Sequence, residues 1–162
     1  MRKLLSLTFA FLLVFSGYAE NYSEWQKQMT ITFDGYTRSE TLIDFPVLII
    51  LEETLEGAGF LYSDFKTLPY GDLRFLSENL ATSLAYEVEA WNQNGRSYVW
   101  VKIPELTQGT MIYMLWGKPG ATTPASDTDG SVWNDDFAGV WHLNDLNTMD
   151  STKNNEHGDY QG

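Results

Sequence analysis

The chain has 162 residues, with 22 Asp and Glu against 10 Lys and Arg and a formal net charge of -12. A surface this acidic repels phosphate backbones and anionic lipid, which argues against a nucleic-acid partner and a peripheral membrane role. No cysteine is present, so disulfide staples, thiolate metal sites, thiol nucleophiles and a lipid-modified N-terminal cysteine are excluded.

Residues 1–19 read as an export signal. Arg2 and Lys3 make a basic start, residues 4–15 are apolar, and Gly17-Tyr18-Ala19 offers small residues where a signal peptidase reads them. The apolar run is shorter than the ~20 residues a membrane span needs. The expected mature chain begins near Glu20, is exported to the periplasm, cell surface or medium, and keeps no transmembrane segment. Its hydrophobic content of 43%, with 15% aromatic, is enough for one core, and the length suits one domain.

Short strands separated by turn signals follow, with no helical period. Residues 26–33 alternate, with Met29, Ile31 and Phe33 on one face and Gln28, Thr30 and Thr32 on the other, before Asp34-Gly35 turns the chain. Residues 45–51 form a continuous apolar run opened by Pro46, which predicts a buried central strand. Residues 52–68 are the least patterned stretch, with room for one helical turn. A short strand is expected over 72–76, after Pro69-Tyr70-Gly71.

Residues 84–103 carry the strongest local signal, two alternating runs around Asn94-Gly95. With those two residues as the centre of a type I′ turn, Trp91 faces Tyr98, Glu89 faces Trp100 and Glu87 faces Lys102. On the other face Ala90 meets Val99, Val88 meets Val101 and Tyr86 meets Ile103. One face is aliphatic and the other aromatic and charged, as a half-buried antiparallel pair requires. Pro104 closes the second strand, residues 110–116 form another, and Gly117-Lys118-Pro119-Gly120 stops it.

Residues 121–131 are rich in Thr, Ser, Pro, Asp and Gly, and read as part of a linker. A new apolar patch, Val140-Trp141-His142-Leu143, is followed by a polar tail too short for a domain of its own. The expected division is a sandwich domain over 20–120, a linker over 121–138 and the start of a second module over 139–162. The fold class is all-β, an antiparallel, jelly-roll-like β-sandwich of seven to nine strands, then the linker and a truncated second β module.

The ordered motifs resemble the family of exported bacterial and archaeal proteins called domain of unknown function 2341. They are Asp44-Phe45-Pro46-Val47, Asp72-Leu73-Arg74-Phe75, Tyr86-Glu87-Val88-Glu89 with Trp91, Val99-Trp100-Val101-Lys102-Ile103-Pro104, and Ile112-Tyr113-Met114 before Trp116-Gly117. The resemblance covers about residues 25–133, and the family has no established activity. Gly139-Val140-Trp141-His142-Leu143, Asp150-Ser151-Thr152 and residues 155–158 are similar to the opening of a laminin-G-like, concanavalin-A-like lectin module. That resemblance implies a downstream lectin-like partner module. Some relatives are fused to proton-channel subunits of energy-transducing complexes, which implies a periplasmic assembly role as an alternative.

Among candidate groups, Glu87 and Glu89 lie about 7 Å apart along one strand face. A glycosidase needs carboxyls on opposite sides of a cleft, so these two read as solvated carboxylates, with Glu87 paired to Lys102. Trp91, Tyr98 and Trp100, with Glu89, form an aromatic row on which sugar rings can stack; burial in a core or against another module is the competing expectation. Asp127, Asp129, Asn134, Asp135 and Asp136 have the oxygen density of a calcium loop without EF-hand spacing, and no cofactor or metal is expected.

His142 and His157 are the only histidines, and both lie outside the expected sandwich, which leaves that domain without a Ser–His–Asp triad. The expected function is a non-catalytic binding or accessory module, directed at polysaccharide or glycan, with Trp91, Tyr98, Trp100 and Glu89 as contacts. A structural spacer is the alternative, and a glycoside hydrolase fragment a third reading.

Overall fold

Alternating β-branched and aromatic residues build six strands among the described residues, which are 20–54, 59–144 and 148–159 of the computed structural model. They are β1 (Lys27–Thr32), β2 (Leu42–Leu51), β3 (Arg74–Ser77), β4 (Tyr86–Ala90), β5 (Ser97–Leu106) and β6 (Met111–Trp116). They form two antiparallel sheets, one in the order β1-β6-β3 and the other β2-β5-β4. Three 3-10 turns lie at Tyr22–Glu24, Tyr62–Asp64 and Ala125–Asp127. The fold is the expected all-β sandwich, with six strands among the described residues rather than seven to nine. The expected leader, residues 1–19, lies outside the described residues.

Between the sheets Leu73, Phe75, Tyr86, Val99, Val101, Ile103, Ile112 and Met114 are buried, and Phe60, Tyr62 and Phe65 join them from the connection after β2. Each such side chain contributes about 1.5–3 kcal/mol by leaving water. Met29, Ile31 and Phe33 pack against this core together, as their alternation predicted.

The apolar run after Pro46 is not a central strand. β2 pairs with β5 alone and lies at the edge of its sheet, with Ile43 60% and Ile50 50% exposed. Proline explains the placement: it has no N–H for a second neighbour, so it suits an edge.

The β4–β5 hairpin forms, but its turn and register differ from the expected ones. Neither Asn94 nor Gly95 has a positive φ, which a type I′ turn needs at both central positions. Instead the Asn92 carbonyl accepts from Gly95 N–H, and its side chain accepts from Asn94 N–H. Ser97 Oγ accepts from Asn92 N–H and bonds the Tyr62 hydroxyl at 2.7 Å, anchoring the tip. Tyr86 therefore pairs with Val101, Glu87 with Trp100 and Val88 with Val99. That offset of two residues keeps each side chain on its predicted face. The register then slips between Val88 and Ala90, so Glu89 and Ala90 together face Tyr98 as a β-bulge.

One end of the sandwich is built on the Asp72-Leu73-Arg74-Phe75 motif. The buried Asp72 carboxylate accepts from the backbone N–H groups of Lys66, Thr67, Gly117 and Lys118. Gly117 reaches it with φ +89°, a conformation that L side chains rarely adopt. The Arg74 guanidinium, also buried, donates to Glu20 through two nitrogens at 2.8 and 2.7 Å and to the carbonyls of Gly71, Leu73 and Thr122. It lies 5.2 Å from the Trp25 ring centroid. Here a charged motif serves as a strand-end anchor.

Candidate functional site

The bulge decides what the outer face of the β2-β5-β4 sheet presents. Glu87 and Glu89, two residues apart, both point outward, but the extra residue reverses the alternation before Trp91. Trp91 turns inward, with its ring 5.1 Å from those of Tyr62 and Phe65 and 5.0 Å from that of Tyr70. The structure therefore does not unite the expected Trp91–Tyr98–Trp100 row. Tyr98 and Trp100 remain outward and half-buried, and the Trp100 indole N–H donates to Glu89 at 2.8 Å.

The chain after Trp116 returns to this face, including the stretch expected to be a linker. Ala121 is first buried with Trp25, Leu76 and Leu115 on the β1-β6-β3 sheet, and Val132 and Trp133 are buried further along. β4 is an edge strand, and the turn at Ala125–Asp127 satisfies its outward backbone groups with side chains. Ser126 Oγ accepts from Tyr86 N–H and donates to Tyr86 C=O, while Asp127 accepts from Val88 N–H at 2.8 Å. These contacts stand in for a further strand and blunt the edge. The other Asp127 oxygen accepts from the Tyr70 hydroxyl. Burial raises the Asp127 pKa, and burial beside Asp127 pushes Tyr70 up to about 12.

Glu87 is not the solvated carboxylate expected, and Lys102 is not its partner. It is buried, accepting from Trp133 Nε1–H at 2.6 Å on one oxygen and from Ser151 Oγ–H at 2.6 Å on the other. His142 Nε2 lies 3.0 Å from that second oxygen, and His142 Nδ1 lies 3.4 Å from Glu89. The imidazole is thus set between two carboxylates, near-parallel to Trp100 at 6.4 Å and tilted against Trp133 at 6.0 Å. Asn144 donates to the Glu89 carbonyl at 2.9 Å. The hydrogen bond to Glu87 raises the His142 pKa; burial opposes the rise, and the charges of Glu87 and Glu89 add to it.

Chemically this is a saturated ion cluster. Ser151 and His142 both address the same Glu87 oxygen, so the serine is hydrogen-bonded to the carboxylate rather than to the imidazole a triad would place beside it. The two carboxylates flank the chain's own histidine. Next to them, Asp150 organises the approach of its segment. Although burial works to raise its pKa, N–H donors from Val140, Thr152 and Glu156 and the Thr152 hydroxyl bring it down to about 2.

The residues read as a calcium loop serve similar local ends. Besides Asp127, Asp129 accepts from Ser131 N–H and Asn134 from Asp136 N–H. Sequence reasoning missed Trp133, His142 and Ser151 as partners of Glu87. Their separations of 46 to 64 residues carry no local pattern.

Residues 69–153, more than half of the chain, match the family described as Domain of unknown function (DUF2341). The chain belongs to this family. The match takes in the Asp72–Phe75 anchor, β4 to β6 and every member of the Glu87–Glu89–His142–Ser151 cluster, and runs past the domain boundary expected at residue 120. No curated protein and no solved structure matches the chain.

Proposed function

We propose that this family member is a non-catalytic, exported binding or accessory module directed at glycan. The observation that carries the reading is the apolar strip left open on the outer face. Leu48 and Ile50 of β2 are exposed there, and they pair across the sheet with Trp100 and Tyr98. Aromatic and aliphatic surface of this kind stacks against the C–H faces of sugar rings. Tyr98 and Trp100 are the contacts that remain outward, and Glu89, committed to Trp100 and His142, positions Trp100. The leader expected over residues 1–19 and the resemblance of the stretch from residue 139 to a lectin-module opening support export as part of a multi-domain surface protein. Affinity electrophoresis in gels cast with cell-wall and plant polysaccharides tests this: retardation that Tyr98→Ala reduces at least threefold is expected, and equal mobility in every gel overturns it.

A spacer or assembly role is the second reading, favoured by the inward turn of Trp91 and by a Glu87–His142 cluster whose groups all bind one another. It predicts no retardation in any gel.

A further inference from the structure

The arrangement of His142 allows a proton count. Both ring nitrogens face carboxylate oxygens, Glu87 at 3.0 Å and Glu89 at 3.4 Å. A neutral imidazole has one N–H and one lone pair, so it can serve only one of the two; the imidazolium serves both. The remaining donors around the carboxylates, Trp133 Nε1–H, Ser151 Oγ–H and Trp100 Nε1–H, are already committed. From the side of β5, Trp100 brings no charge. From the Ala125–Asp127 turn, Asp127 adds a further negative field at Glu87, and from its own segment His142 is joined by Ser151 and Asn144, both uncharged. The loss of one proton thus leaves a carboxylate facing a lone pair among acids.

We propose that Glu87, Glu89 and His142 form a proton-operated clasp. While His142 is charged, it pins residues 139–152 to the outer face of the β2-β5-β4 sheet. As pH rises and the proton leaves, that segment loosens and uncovers Trp100, and the sandwich stays folded. Apart from Ser151 to Glu87 and Asn144 to the Glu89 carbonyl, the segment's hydrogen bonds are local, among them Ser151 N–H to Val140 C=O, Val140 N–H to Asp150, Asp150 N–H to His157 and Trp141 Nε1–H to the Glu156 carbonyl, whereas Val99 and Val101 lie buried within a paired strand. The two regions can open separately.

Amide hydrogen exchange of the full chain between pH 6 and pH 9, corrected for intrinsic rates, tests this beside an NMR titration of His142. Protection at Val140 and Ser151 is expected to fall threefold to fivefold, with the midpoint of the His142 titration, while Val99 and Val101 change less than twofold. Titration of His142 at or below pH 6.5, or flat segment protection while His142 titrates, overturns the clasp. In His142→Gln the segment is expected to be weakly protected at every pH; wild-type protection at pH 6 overturns the proposal. Should that variant lose protection at Val99 and Val101 as well, Glu89→Gln decides: a lowered His142 midpoint supports the clasp and an unmoved one overturns it.

Discussion

Two regions of this molecule bury charge, and they do so by different chemistry. At the Asp72–Arg74 end, four backbone N–H groups saturate one carboxylate, and a guanidinium is held by Glu20 and three carbonyls. None of those backbone groups titrates, and an arginine keeps its proton at any physiological pH. On the outer face, Glu87 and Glu89 meet a histidine whose charge changes near neutrality. The first arrangement fixes where strands end. The second fixes where a segment lies, and only while a proton is present. A buried charge is therefore as permanent as the partner that neutralises it.

Asp72→Ala should have the largest effect. It strands four N–H groups at the junction of three chain segments, for a loss of about 3–5 kcal/mol in urea unfolding; a loss under ~1 kcal/mol would remove the anchor from the comparison. Glu87→Ala should cost less, about 2–3 kcal/mol, because it unpairs Trp133, Ser151 and His142 on the outer face rather than between strand ends. Equal costs for the two variants would erase the distinction drawn here.

The smallest effect, under about 1 kcal/mol, is the pH dependence, and the two regions should show it with opposite sign. The hydrogen bond to Arg74 holds Glu20 below its ordinary value of 4.5. Its contribution is present above that value and is lost as pH falls through the folded pKa. His142 is raised above 6.5, so its contribution is complete below 6.5 and is lost as pH rises through its folded pKa. Thermal melts across pH 3–9 should show both flanks. Glu20→Gln should reduce the acid flank, to which the lowered Asp150 also contributes, and leave the alkaline one unchanged, while His142→Gln should flatten the alkaline flank; loss of the alkaline flank in Glu20→Gln would break the assignment.

Much of the sandwich was legible because strand faces are written at a period of two. Met29, Ile31 and Phe33 share a face in the alternation and in the fold, and so do Val99, Val101 and Ile103. The hairpin was legible for the same reason, though its turn was not, since Asn92 and Ser97 outcompete the Asn94-Gly95 geometry through side-chain hydrogen bonds. Trp91 was misplaced because one bulged residue inverts the alternation, and a bulge leaves no mark in an apolar–polar pattern. β2 was misread because an apolar run has the same composition at an edge as at a centre.

By itself, then, the sequence determined which segments are strands, which side chains share a face, and that no thiol chemistry operates in this chain. Tertiary structure alone decided that Glu87 is buried, that Trp133, His142 and Ser151 converge on it, and that Ser126 and Asp127 close the edge of β4. Strand identity follows from backbone sterics and a two-residue repeat, both local. A buried carboxylate is defined by what folds over it, and those groups arrive from 46 to 64 residues away.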